Sequence, residues 1–343
     1  MTLAERILIR LGIAPKPMFD VAYGIGKAKT ILVGNKLGIF EKLSGGPLSA
    51  QELAAELDIS EYGLSLLLDA LWGVGYLERN QGKYKNAKVA QKWLVESSPQ
   101  YTGNLLRHID DLWESIGWLD EAVKAGKPVR NFYDYLSKHP TAWRNYTLGQ
   151  RDIAKAIVGE IVSKVKLPPQ ARTLLDLGGA HGYYSVAFCR KYPDLTALVI
   201  DFESPVAIGQ EVVNQEGTDE RVSFKVGNYI NDDIGSGYDV ALLSSIVHGD
   251  PPDTNIATMK KVYGALNPGG IIVINEILSY RGKKESESGL LFALNMLVNT
   301  PRGKAYSYDV VRGWLRDAGF TSIRRVDLKR LPAYSLLLAT RPT

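Results

Sequence analysis

The stretch from Leu174 to Gly182, LLDLGGAHG, constrains this chain more than any other. It follows an apolar run at 173–177 that reads as a β-strand, and it precedes a predicted helix at 183–191. Glycines between a strand and a helix let the backbone turn tightly and let a ligand approach it closely. Asp201 ends the next apolar run, 19 residues after Gly182. A carboxylate at that place accepts hydrogen bonds from ribose hydroxyls. Loop and carboxylate together point to a nucleoside-type cofactor.

Two cofactor classes share this arrangement. A nicotinamide site wants Gly-x-Gly-x-x-Gly, with a helix N-terminus facing a pyrophosphate. Counted from Gly178, those positions hold Gly178, Ala180 and Tyr183, so two of the three fail. The template acidic-x-Gly-x-Gly-x-Gly gives Asp176, Gly178, Ala180 and Gly182, with Gly179 inside the same turn. An acidic residue at the strand end suits a ligand with an ammonium group and no phosphate. S-adenosylmethionine has both properties.

From Arg172 onward, strand-like runs at 173–177, 197–201, 222–226, 240–243 and 271–276 alternate with helical segments. That is βαβ logic and implies a mostly parallel sheet. Runs at 321–328 and 334–340 are separated by a short turn, which suits a closing antiparallel hairpin. The predicted fold class is therefore α/β: a Rossmann-like, seven-stranded sheet with a terminal antiparallel hairpin.

The N-terminal part reads differently. Residues 1 to about 40 suggest two helices around a break at Pro15 and Pro17. Ser49 and Glu52 form a capping-box signature for a helix to Leu57. Ser60 caps a second helix with Leu64, Leu67, Leu68, Leu71 and Trp72 at helical spacing, ended by Gly75. Segments 76–78 and 83–85 flank a turn and read as a hairpin. Helix, turn, helix and hairpin make a winged-helix pattern in a mainly α-helical domain. DNA binding is not expected of it, because 60–78 carries Glu61, Asp69 and Glu78 and no Lys or Arg to meet phosphates. The expected boundaries are a winged-helix domain at 1–100, a helical region at 101–168 and a cofactor domain at 169–343.

A net charge of +4, with no concentrated basic run, argues for neither nucleic acid nor a membrane surface. The single cysteine, Cys189, excludes an intrachain disulfide and reads as a core residue. No stretch has the roughly 18 consecutive apolar residues of a membrane span, and the N-terminus lacks a signal-peptide core. A cytoplasmic protein is expected.

The order of further motifs brings a resemblance into view. VIDFESPV, VSFKVGNY, YDVALLSSIVHGDPPDTN, ALNPGGIIVINE and NTPRGKAYSYDVVRGWLRDAGF follow the glycine loop in turn. The chain resembles, over nearly its whole length, the small-molecule O-methyltransferases with an N-terminal winged-helix dimerisation domain, of caffeic-acid and hydroxyneurosporene type. The resemblance implies the fold of class I S-adenosylmethionine-dependent methyltransferases, S-adenosyl-L-methionine as cofactor and a homodimer formed through the N-terminal domain. Asp201 would bind the ribose, Asn228 and Tyr229 would lie along the adenine, and Ser244 would sit near the methionine end.

His248 follows the fourth strand, where ligands of open α/β sheets bind, and it matches the family's catalytic-base position. Glu276 ends the fifth strand and should therefore lie near His248. It matches the residue that orients the base by holding one imidazole nitrogen. The expected reaction is methyl transfer to a hydroxyl of a small aromatic or polyketide-like molecule. Caffeic-acid-type members carry a second Glu where this chain has Ala305, and Gly249 stands where many relatives have Asp. Carbon or nitrogen transfer on the same fold, or a non-catalytic ligand-binding regulator, are the alternatives. No metal is expected. By the resemblance, Trp113, Tyr146, Gln150, Asn295 and Met296 line an acceptor pocket between the domains.

Overall fold

The computed structural model describes residues 3–218, 220–279 and 287–343 of the chain. They form two compact units, Met1–Asp110 and Asp111–Thr343. The break between units thus falls at Asp110, and residues 111–168 belong with the sheet that follows them.

In the first unit the capping box forms as read: Ser49 Oγ accepts from the Glu52 N–H at 3.2 Å, and Glu52 returns the bond to the Ser49 N–H at 2.6 Å. The helix it opens is Ala50–Leu57. The second helix, Glu61–Gly73, is capped by Ser60 and buries Leu64, Leu68 and Leu71, one apolar face at helical spacing. It stops at Gly73, and Gly75 lies just beyond it at φ 85°. Strands β2 (Leu77–Asn80) and β3 (Lys83–Asn86) form the hairpin. Its turn places Gln81 and Gly82 at φ 48° and 76°, as a primed two-residue turn requires. A two-residue strand, β1 (Leu48–Ser49), pairs with β3. The region before it holds helices Leu3–Arg10 and Gly24–Lys36, with Lys16–Met18 and a π-helical turn between them.

In the second unit the strands are β4 (Thr173–Leu177), β5 (Thr196–Asp201), β6 (Val222–Val226), β7 (Tyr238–Ser244), β8 (Leu266–Ile277), β9 (Thr321–Asp327) and β10 (Tyr334–Thr340). Their spatial order is β6-β5-β4-β7-β8-β10-β9. The first five are parallel, and β10 runs antiparallel to both β8 and β9. Alternate residues of each strand feed opposite faces. Leu174, Val199, Leu242 and Val273 pack against Ile157 and Ile161 of helix Pro140–Lys164 and Val186 of helix Tyr183–Lys191. Leu175, Ile200, Leu243 and Ile274 face the other way, against Met259, Val262, Val311 and Leu315. Cys189 is fully buried in the first of these layers, where burial pushes its thiol up to about 11.

The register sets the site. Leu177 pairs with Ile200 and with Leu243, Ser244 with Asn275, and Asp201 with Val226. The carboxyl ends of β4, β5, β7 and β8 therefore lie along one edge, which brings Asp176, Asp201, Ser244 and Glu276 together. No helix of the described residues is long and apolar enough to cross a membrane.

Candidate active site

The glycine loop leaves β4 with Gly178 at φ 62°, Ala180 at 39° and Gly182 at 65°. All three positions that the glycine template reserves are left-handed, so Ala180 holds a glycine's conformation at a cost of about 1–2 kcal/mol. A Cβ on Gly178 would meet Ile246 Cγ2 at 2.7 Å and Tyr229 Cε1 at 3.5 Å. One on Gly179 would sit 2.5–2.7 Å from the Asp176 carboxyl. The loop can pass this close to its neighbours only without side chains.

Two carboxylates flank it. Asp201 accepts the Ala180 N–H at 2.8 Å and the Phe202 N–H at 2.7 Å. Burial nevertheless pushes it up to about 6. Asp176 is fully buried. Its Oδ2 accepts the Ser185 hydroxyl at 2.8 Å, and its Oδ1 has no partner. Burial pushes it up to about 7. An orphaned oxygen on a buried carboxyl is the feature that an ammonium-bearing ligand would satisfy.

After β6, the side chain of Asn228 turns back on its own loop, with Oδ1 accepting the Ile230 N–H at 3.0 Å. Lys261 braces this loop from helix Pro252–Ala265. Its ammonium donates to the carbonyls of Tyr229 (2.9 Å), Ile230 (2.7 Å) and Asp232 (3.0 Å). Nothing in the sequence singled Lys261 out, because its partners are backbone atoms 29–32 residues away. Lys261→Met removes three charge-assisted bonds. It is expected to weaken S-adenosylhomocysteine binding about tenfold, with partial recovery in Lys261→Arg, as read by calorimetry.

Ser244 is buried, and its Oγ accepts from Asn275 Nδ2 at 2.9 Å. Asn275 also reaches the Tyr184 hydroxyl at 3.3 Å. Ser244 thus belongs to a polar layer beneath the strand ends. Ser245 turns the chain outward at φ 57°, a strained step that delivers His248 to the edge.

His248 Nδ1 lies 2.7 Å from Glu276 Oε1. Glu276, 1 % exposed, also accepts the N–H groups of His248 (3.2 Å) and Ile277 (2.8 Å). Three donors converge on one buried carboxylate, which fixes it firmly. The turn carrying His248 is clamped by its carbonyl, which accepts the Lys304 N–H at 2.8 Å. Asn255 Nδ2 holds the carbonyls of Val247 and Asp250, each at 2.9 Å. Phe292 packs edge-on to the imidazole at 4.8 Å between ring centres. Ala305 is buried and adds no polar group.

Of the proposed pocket residues, Asn295 and Met296 share helix Glu287–Asn299 with Phe292, about one turn on. Trp113 opens the short helix Trp113–Gly117, which packs on that same helix. Tyr146 makes an edge contact with Phe132 at 5.4 Å and lies 6.0 Å from Trp143. Gln150 lies one turn further along helix Pro140–Lys164. Among the described residues no cluster of His, Cys, Asp or Glu could hold a metal ion.

An O-methyltransferase domain model matches residues 119–321, and an O-methyltransferase dimerisation domain model matches 19–96. The chain belongs to the O-methyltransferase family. It is 29 % identical to the 3-hydroxy-5-methyl-1-naphthoate 3-O-methyltransferase of Streptomyces sahachiroi, over 91 % of each chain. The tetracenomycin polyketide synthesis 8-O-methyl transferase TcmO of Streptomyces glaucescens is 28 % identical, over 90 % of this chain and 92 % of its own. The solved structure of PigF with SAH superposes at a TM-score of 0.86 and 25 % identity, over 95 % of this chain and 99 % of that one. This O-methyltransferase therefore uses S-adenosyl-L-methionine. The dimerisation domain supports a homodimer.

The cofactor fit has a pH signature. Near pH 6 the Asp176 carboxyl is mostly protonated, and an ammonium beside it favours the carboxylate. S-adenosylhomocysteine binding is then expected to release a proton and to tighten as pH rises from about 6 to 8. Calorimetry in buffers of different ionisation enthalpy measures this directly; zero proton exchange at pH 6.5 would count against the contact. In the free protein the sign is opposite. A carboxyl raised from 3.8 to about 7 contributes stability at low pH that is lost as pH climbs through that interval.

Proposed function

We propose that this enzyme methylates a hydroxyl of a small aromatic or polyketide-like molecule, with His248 as general base and Glu276 as the group that orients it. The observation that carries the reading is the 2.7 Å contact between His248 Nδ1 and the buried Glu276 carboxylate. Donation of the Nδ1 proton to Glu276 leaves Nε2 as the acceptor on the outer side of the ring. The same carboxylate stabilises the imidazolium formed when a proton arrives.

When bound, S-adenosyl-L-methionine supplies an electrophilic methyl group; Asp201, Tyr229 and the 178–182 loop would hold its nucleoside, and Asp176 its ammonium. Full proton transfer from a phenol to a histidine costs roughly 5 kcal/mol at their ordinary pKa values of about 10 and 6.5. His248 is therefore most effective if it takes the proton as charge leaves the acceptor oxygen. The edge of Phe292 against His248, and the rings of Trp143 and Tyr146, favour a flat apolar acceptor. The naphthoate and tetracenomycin relatives support that class, and with it a role in secondary metabolism. Residues 111–168 would supply much of the acceptor wall. The exposed Leu11, Ile13, Val21, Tyr23 and Ile25 are apolar surface that a homodimer would cover.

Glu276→Gln tests the dyad. It keeps the size of the side chain and removes its charge. The expected result is a kcat about 10–100-fold lower with S-adenosylhomocysteine affinity retained. Unchanged turnover would overturn the orienting role.

A further inference from the structure

The Tyr229 hydroxyl donates to Asp250 Oδ2 at 3.0 Å. This bond joins two segments with different tasks, since Tyr229 lies in the loop after β6 and Asp250 lies two residues beyond His248. We propose that Tyr229 and Asp250 form a latch that couples the cofactor loop to the base, with Asp250 as a positioning residue for methyl transfer. The inference rests on the reading of His248 as general base.

Both ends of the latch are mechanically connected. The Tyr229 ring lies against Gly178, where an added Cβ would stand 3.5 Å from it. Its backbone carbonyl is held by Lys261. A ligand entering along Gly178 therefore presses on this ring. At the other end the Asp250 carbonyl is fixed by the Tyr306 hydroxyl at 2.8 Å and by Asn255. With that backbone clamped, displacement of the Asp250 side chain is passed to its near neighbours rather than dissipated.

The charge pattern gives the latch a chemical consequence. His248 faces Glu276 from β8, Asp250 from its own turn and the uncharged Phe292 ring. The Asp250 carboxyl accepts the Tyr229 hydroxyl, its backbone carbonyl accepts the Tyr306 hydroxyl, and it feels the charge of His248. The loop bearing Ala305 packs on His248 through the Lys304 N–H and carries Arg302 and Lys304 but no carboxylate, so Asp250 supplies a negative charge beside His248 that this loop does not. A carboxylate there favours the imidazolium that forms when His248 takes a proton.

The test uses Tyr229→Phe, Asp250→Asn and the double variant in the full-length enzyme. His248 is followed by NMR of labelled imidazoles, with His248→Gln assigning its signal among the four histidines. Asp250→Asn is expected to lower the His248 titration midpoint, because a negative charge has gone. In the native enzyme S-adenosylhomocysteine is expected to shift that midpoint, and in Tyr229→Phe the shift is expected to be lost. Each single variant should lower kcat about tenfold, and the double should be no worse than Asp250→Asn alone. Asp250→Glu should recover part of the loss. Additive effects, or a ligand-induced shift identical in all variants, would overturn the latch. Failure of the underlying reading looks different: His248→Gln would then turn over normally whatever stands at 229 and 250.

Discussion

His248→Ala is expected to lower kcat by about 10²–10⁴-fold while leaving S-adenosylhomocysteine affinity within a few-fold of the native enzyme. The two readouts separate because the imidazole sits on the turn after β7, held by Glu276, whereas the residues proposed to hold the cofactor are on the ends of β4, β5 and β6. Turnover would not vanish. Holding an acceptor in line with the methyl group supplies much of the rate without a base. The residual activity should rise with pH as the acceptor ionises in solution, since an acceptor already deprotonated needs no base. Stopped assays across pH 6–10 with a phenolic acceptor check both points.

Gly209→Ala should do comparable damage by a different route. Gly209 lies in the middle of helix Glu203–Gln215, three residues past the VIDFESPV stretch, and belongs to no motif itself. A Cβ there would collide with the backbone carbonyl of Ala180 and lie 2.6 Å from Phe224 Cε1. A backbone oxygen cannot rotate away as a side chain can, so either the helix or the glycine loop must move. Overpacking of this kind costs about 1–3 kcal/mol of stability. The loop is also the proposed seat of the cofactor, so its displacement is expected to weaken ligand binding as well. The expected result is a lowered Tm together with S-adenosylhomocysteine affinity reduced about 10–100-fold, the size of that cost expressed at the ligand site. A destabilised protein that still binds the ligand normally would mean that the helix, rather than the loop, gives way.

These two residues mark what could be read from the sequence and what could not. The nearness of His248 and Glu276 was legible because one follows an apolar strand and the other ends one, and parallel strands bring their carboxyl ends together. The glycine loop was legible because positive φ values demand particular residues. Ala180 is the instructive exception, since it adopts φ 39° without being glycine. The seven strands were legible as apolar runs, although β8 starts five residues earlier than its β-branched stretch suggests, at Leu266. Gly209 was not legible, because a glycine inside a helix looks like a mere weakness until the surface it touches is known. Nor were Lys261, Asn275 and the bond between Tyr229 and Asp250, whose partners are close only after folding. The two-residue strand β1 is too short for any periodicity to show.

The most direct measurement follows the methyl group itself. Enzyme is incubated with methyl-deuterated S-adenosyl-L-methionine and a series of hydroxynaphthoates, and the label is located in the product by NMR. The expected result is label on a phenolic oxygen, formed at a rate that falls by about 100-fold or more in His248→Ala. Label on carbon or nitrogen, or equal rates with and without His248, would contradict oxygen transfer through the His248–Glu276 pair.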